Sequence, residues 1–574
     1  MTLRVWAPYA SRVDVVLEDG ARQPMRVAED GYHEGDLALA PGTLYAFSLD
    51  GGPSLPDPRS RSQPRGVHGP SAVRVPAARH DTDPRGADLG DRILYELHVG
   101  TFTPEGTFDA AASRLDHLNA LGVDAIELLP VAEFPGDRGW GYDGVDLYAP
   151  HHAYGGPDGL DRLIAAAHAR GIAVIVDVVY NHLGPDGNNL ERFGPYFTDR
   201  HHTPWGKAIN FDGPGSDGVR AFVIENALMW LEEHGADGVR LDAVHAIVDL
   251  SATHVIEELT ARVDALEART GRRCWVIAES DLNDPRVVRP RDMSGWGCDA
   301  QWSDDLHHAL HTVLTGERAG FYQDFGRMTD LAKALRDAFV YDGRRSAFRR
   351  RHHGRPVGDL SGDRFLAYSQ DHDQVGNRAR GERLAHLCGV ERAKIAAAVV
   401  LLSPFVPMLF MGEEWAAGAP FLYFTDHRDE RLGRAISEGR RNEFARFGWD
   451  PQEIVDPQSM EAFQRSKLDW AERDREPHRS MLEWYRSLIA LRRAVPELRD
   501  GRRDAVAVAC DEDARWLRMT RGPVTLAFAL DRAADIPLEE RPGDLALAST
   551  PDADTSERTI HLPADSVAIF RRAT

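Results

Sequence analysis

Gly238-Val-Arg-Leu-Asp-Ala-Val-His245 is a short apolar strand that ends in polar residues, and its reading decides the fold. Val239 and Leu241 alternate with Arg240 and Asp242, so the two charged side chains leave the same side of the strand. A buried charge needs a partner. Arg240 supplies one for Asp242 and favours the ionised carboxylate near neutral pH. At the C-terminal end of a parallel strand, such a carboxylate is a candidate nucleophile. Taken alone, the stretch fits a purely structural Arg–Asp pair equally well.

Outward from it, strands alternate with helices. Ile93–Gly100, Val123–Pro130 and Ile172–Val179 precede the fourth strand at Gly238; Cys274–Glu279, Cys298–Trp302, Arg364–Ser369 and Val406–Met411 follow it. Between them, 108–120, 160–170, 217–234 and 251–269 carry helical spacing of apolar residues. Eight apolar strands separated by helices predict a closed parallel (β/α)₈ TIM barrel over 91–495, with loop insertions. Residues 1–90 begin with short alternating strands at 3–6, 12–17, 32–37 and 44–49, the pattern of an N-terminal β-sandwich. The Pro- and Arg-rich run Pro53–Pro76 then predicts an extended, ordered linker, which either binds sugar or packs. After a helix at 479–493 closed by Pro496, strands return at 505–509, 514–519, 524–529 and 566–570, a C-terminal β-sandwich over 496–574.

The polar residues that gather at the strand ends form a set. Tyr142 and Asp143 follow the second strand, and Asp177, Asn181 and His182 the third. Arg240, Asp242 and His245 follow the fourth, Glu279 the fifth, and His372, Asp373 and Gln374 the seventh. Two carboxylates flanking one bond are the equipment of glycoside hydrolysis, one ionised and one protonated. Asp242, beside Arg240, is the ionised one. Glu279 follows Trp-Val-Ile-Ala, an apolar setting that raises a carboxyl pKa and suits a general acid. Asp373 is a third acid, holding sugar hydroxyls. His182, His245 and His372 are hydrogen-bonding groups, and Tyr142 is a ring to stack beneath a sugar. Asp143 and Gln374 join them as candidate substrate contacts.

The net charge of −22 over 574 residues disfavours nucleic acid, whose phosphates it would repel. No nucleotide-binding glycine motif is present, and no cofactor is expected. Asp177 and Asn181 are oxygen donors of the kind calcium takes, but without a dense acidic loop no metal is expected. Cys274, Cys298, Cys388 and Cys510 are too scattered for a zinc or disulfide framework. With no leader pattern at Met1 and no long apolar run, a cytoplasmic protein without a membrane partner is the expectation.

Asp177-Val-Val-Tyr-Asn-His182, Gly238–Asp242, Ala278-Glu279 and His372-Asp373 resemble the four signature segments of the α-amylase superfamily, glycoside hydrolase family 13. The resemblance implies a retaining mechanism with Asp242 as nucleophile, Glu279 as acid/base and Asp373 as transition-state stabiliser. It also implies sugar contacts from Tyr142, His182, Arg240 and His372. The flanks, among them Asp57–Pro70, Gly184–Asn188, Thr203-Pro-Trp-Gly206 and Phe421–His427, are similar to the branch of that superfamily that acts on maltooligosyl trehalose. That likeness implies cleavage of the α-1,4 bond beside the trehalose end, after a synthase has built that end. Asp371 is a departure, standing where the pattern has Asn. His372-Asp-Gln-Val375 favours hydrolysis over the alternative, an α-1,4-glucan branching enzyme with the same acids. Trp415, Phe421, Tyr423 and Phe424 of the 413–470 insert either bind sugar or pack.

Overall fold

The computed structural model describes residues 2–75, 88–203, 206–446 and 454–573. Pro76, Pro204, Trp205 and residues 447–453, which the sequence reading included, lie outside the described residues.

Eight parallel strands close into a barrel: Leu94–Leu97, Ala125–Leu128, Ala173–Val178, Gly238–Leu241, Trp275–Ala278, Ala300–Trp302, Phe365–Ala367 and Val406–Phe410. They pair in sequence order, and the eighth returns to the first. All the expected strands are present, each trimmed by a few terminal residues that serve the loops. The register sets Asp177 directly opposite Arg240 on the neighbouring strand. Two opposite charges therefore meet inside the barrel with no freedom to separate.

The expected helix over 108–120 is two helices, Phe108–Ala112 and Leu115–Leu121. The Ser113 hydroxyl donates back to the Ala110 carbonyl at 2.6 Å and helps end the first. The helix expected over 217–234 runs as Ser216–Met229 and ends in a widened turn, Trp230–His234. Gly235 stops it at φ 82°, a conformation glycine adopts freely.

Outside the barrel lie the expected sheets. At the N-terminus, Thr2–Trp6 pairs with Tyr32–Asp36, while Val13–Leu17 pairs with Leu44–Leu49 in a second sheet. The linker after them packs rather than roams. Ser60 and Gln63 are buried, Arg61 clamps Glu233 at 2.6 and 2.9 Å, and Gln63 donates to Asp146 at 3.2 Å. At the C-terminus a five-stranded and a three-stranded sheet pack around Trp516, Phe570 and Ile560. The helical segment Leu384–Leu402, broken at Gly389 (φ 82°), lies between barrel and C-terminal sheets, with Ile395–Leu402 wholly buried. Two further arginines lock that seam. Arg492 donates to the carbonyls of Leu401, Ser403 and Phe405, and Arg521 to those of Leu402, Ser403, Glu497, Leu498 and Asp500. Those carbonyls of residues 401–405 immediately precede the eighth strand, at the opposite end of the barrel from the polar strand ends.

Candidate active site

The strand ends open into one cavity of about 490 Å³, lined by Tyr142, Asp143, His182, Asp242, His245, Glu279, His372 and Asp373. Eight of the ten expected site residues thus meet in one place. Arg240 lies beneath the cavity, fully buried, its guanidinium 4.3 Å from the centre of the Trp302 ring. Gln374 is not brought in. It sits in the short helix His372–Gly376, and its side-chain oxygen accepts from the Asp371 N–H at 3.2 Å. It shapes the helix start and is not among the residues that line the cavity.

Arg240 organises the acids. Its Nη1 donates to Asp177 Oδ2 at 2.7 Å and to Asp242 Oδ1 at 2.9 Å, while Nη2 donates to Glu279 Oε2 at 3.0 Å. One positive charge faces three carboxylates, so they cannot all be ionised cheaply. Asp242 has the most help. Burial works against its charge, but Arg240, His182, His372 and the amide of Asn181 outweigh it and hold its pKa below the usual range. Asn181 Nδ2 donates to Asp242 Oδ2 at 2.6 Å and to its carbonyl at 2.8 Å, fixing the carboxylate's direction. Glu279 is the acid that keeps its proton. Burial raises its pKa well above the ordinary value; Arg240 opposes this, and the negative charges of Asp242, Asp373 and Asp304 add to it. Its Oε2 accepts from Arg240 and from the Ala243 N–H at 2.6 Å, which leaves Oε1 to carry the proton. Asp177 is pushed up to about 6, by burial foremost, against the pull of Arg240.

The floor is aromatic and charged. The Tyr142 and His372 rings stack 5.1 Å apart at 16°, and the Tyr142 hydroxyl donates to Asp177 at 2.7 Å. Glu96, in the first strand, takes both the Nδ1 of His372 at 2.6 Å and its backbone N–H at 3.0 Å. Burial would lower the His372 pKa, but Glu96 and Asp373 lift it to about 10, so the ring is an imidazolium at neutral pH. His182, by contrast, is held below its ordinary range by burial, against the attraction of Asp242 and Asp143. Asp373 is the open acid. Its side chain is 44% exposed, and Asn377 Nδ2 donates to it at 2.9 Å. Asp371 caps the helix on which Asp373 sits, its Oδ1 accepting from the Asp373 N–H at 2.8 Å.

Sequence reasoning missed Trp140, Asn377 and Arg440, all of which line the cavity. Arg440 donates to Asn377 at 2.7 Å and lies 4.0 Å over the Tyr423 ring. It comes from the helix Glu430–Arg446 of the insert, and no local pattern marks it. Glu96 was legible, because a lone carboxylate in the apolar strand Leu94–Leu97 demands a partner just as Asp242 does. The insert's aromatics divide. Trp415, Phe421 and Phe424 are buried and pack, whereas Tyr423 faces the cavity.

Residues 73–196 match the family model for the alpha amylase catalytic domain. The chain is 49% identical to a malto-oligosyltrehalose trehalohydrolase of Arthrobacter ramosus, over 99% of each chain. It is 48% identical to a protein of the same name from Rhizobium sp. strain M-11, covering 99% of this chain and 97% of that one. A crystal structure of a candidate alpha amylase from Salmonella typhimurium superimposes with a TM-score of 0.91 at 39% identity, over 100% of this chain and 97% of that chain.

Proposed function

The chain belongs to the malto-oligosyltrehalose trehalohydrolase family, and from that premise we propose how its cavity performs hydrolysis of the α-1,4-glucosidic bond next to the trehalose end of maltooligosyl trehalose. Asp242 Oδ2 attacks the anomeric carbon. Glu279 Oε1 passes its proton to the glycosidic oxygen, and trehalose leaves. A glycosyl ester on Asp242 remains. Glu279, now ionised, draws a proton from water, the water attacks the anomeric carbon, and a maltooligosaccharide is released. Asp373, with Asn377 behind it, grips hydroxyls of the reacting glucose and favours its cationic transition state. Tyr142 and the His372 imidazolium form the floor beneath that ring, and His182, His245 and Asp143 hold further hydroxyls.

The observation that carries this reading is the single guanidinium divided between Asp242 and Glu279. It draws the two carboxyl groups together, as a retaining mechanism needs, and leaves one of them with a proton. The substrate rests on the likeness to trehalohydrolases over nearly the whole chain. A synthase that closes the reducing end of a glucan into trehalose is the partner activity. The chain's parts are read as 1–90, 91–495 and 496–574, and its location as cytoplasmic; among the described residues no helix is long and apolar enough to cross a membrane.

Product analysis tests the reading. Maltotriosyl trehalose, maltopentaose and amylose are each incubated with purified protein and resolved by chromatography. Free trehalose with little cutting of maltopentaose is the expected result. New α-1,6 branches in amylose without trehalose would replace it with a branching enzyme.

A further inference from the structure

The loop that carries Trp140, Tyr142 and Asp143 leaves the barrel through Glu133 and returns through His151 and His152. These three side chains converge, and one ligand atom from each lies within 4.8 Å of the others. Glu133 and His151 are fully buried and His152 is partly exposed. The Glu133 carboxylate is fixed, because its Oε2 accepts the His152 N–H at 2.8 Å. Its Oε1 therefore faces both imidazoles, 2.7 Å from His152 Nδ1 and 3.2 Å from His151 Nδ1. His151 is buried with neither ring nitrogen in hydrogen-bond geometry with a partner, a costly state for a polar side chain. The other nitrogen of His152, Nε2, lies 3.2 Å from Asp137 Oδ1.

We propose that Glu133, His151 and His152 form a binding site for a divalent transition-metal ion of the zinc type, clamping the two ends of the loop that carries Tyr142. Two imidazoles and a carboxylate are the donor set zinc takes, and its metal–ligand bonds of about 2.0–2.2 Å put neighbouring donors roughly 3.3 Å apart. The 3.2 Å between His151 and Glu133 already fits, and the 2.7 Å to His152 opens by a few tenths of an ångström. Asp137 completes the pattern: a carboxylate on the far nitrogen of a metal-bound histidine sets its tautomer and leaves Nδ1 as the lone pair. With Nε2 carrying the hydrogen, a cation must sit between Nδ1 and the Glu133 oxygen. A water fills the fourth position, through the exposed side of His152. The cluster lies apart from the acids, and the ion takes no part in cleavage.

The test is a cobalt(II) titration of metal-stripped full-length protein at pH 7.5, followed by visible absorption, with thermal melting alongside. Saturation at one equivalent, competition by zinc, and a melting temperature raised by either metal are expected. His152→Ala should abolish the absorption and the metal-induced shift while keeping the turnover of the parent, its metal-free melting temperature falling because the buried Glu133 loses a partner. Should that variant fail to fold, His152→Asn replaces it. No cobalt absorption at millimolar metal overturns the site, as does absorption that survives both His152→Ala and Glu133→Gln.

Discussion

Arg240 and the pair Arg492–Arg521 are all buried arginines, at opposite ends of the same barrel, and they are satisfied in opposite ways. Arg240 sees three carboxylates. Arg492 and Arg521 see only backbone carbonyls. Burial drives the Arg492 pKa down to about 9 and that of Arg521 to about 10, the more distant carboxylates of Asp91, Asp124 and Asp500 only partly opposing it. Both remain charged at neutral pH. Their reward is mechanical: carbonyls that would otherwise be orphaned at the seam are paired. Arg240 instead distributes charge among groups that can gain and lose protons. A buried arginine is therefore glue or machinery according to whether its partners titrate.

The contrast breaks most visibly at Asp242. Asp242→Ala should lower kcat for trehalose release by roughly 10⁴-fold or more, as loss of a nucleophile does, with circular dichroism and melting close to the parent. Retained turnover would make the Arg240 cluster structural, like the seam. Arg240→Met should lower kcat/KM by about 10²–10³-fold, the scale of losing a preorganised charge. It should also destabilise, since it strands buried carboxylates. Arg521→Met sharpens the other side. Chemical denaturation should show about 3 kcal/mol less stability, from carbonyls left unpaired, while kcat of the folded fraction stays at the parent value. A comparable loss of kcat would mean the seam and the site are coupled.

The pH dependence separates the two ends further. Glu279 must be protonated to act first, so kcat/KM should fall as pH rises through its elevated pKa. On the acid side activity should persist until Asp242 is protonated, below the usual carboxylate range. Stability should also depend on pH. His372 titrates at 6.5 when unfolded and about 10 when folded. A raised folded pKa gives stability that is fully present below pH 6.5 and lost as pH climbs through 10. Melting temperature should therefore decline across that window, and less so in His372→Asn.

Much of this was legible in the sequence because it depends on local order. The barrel strands are continuous apolar runs bounded by turn residues, and their polar terminators sit within a residue or two of the strand ends. That is enough to collect Asp242, Glu279 and His372 at one mouth. What stayed hidden depends on geometry between distant segments. Arg440 reaches Asn377 across 63 positions, and Asn181 becomes the Asp242 clamp only once the third and fourth strands are in register. Gln374 stands outside the cavity lining for the opposite reason. Adjacency to Asp373 placed it near the site, but the helix beginning at His372 turned its side chain back on its own backbone.

The shared guanidinium of Arg240 has a consequence in time. Before cleavage, the negative Asp242 helps keep the proton on Glu279. Once Asp242 becomes an ester, that charge disappears, and Arg240 no longer has Asp242 to satisfy on the same side. Both changes lower the affinity of Glu279 for a proton at the moment it must take one from water as a base rather than donate one as an acid. The protein needs no moving part for this reversal. The bond made to one carboxylate resets the other, so the half-reactions are kept in order by the charge of the intermediate itself.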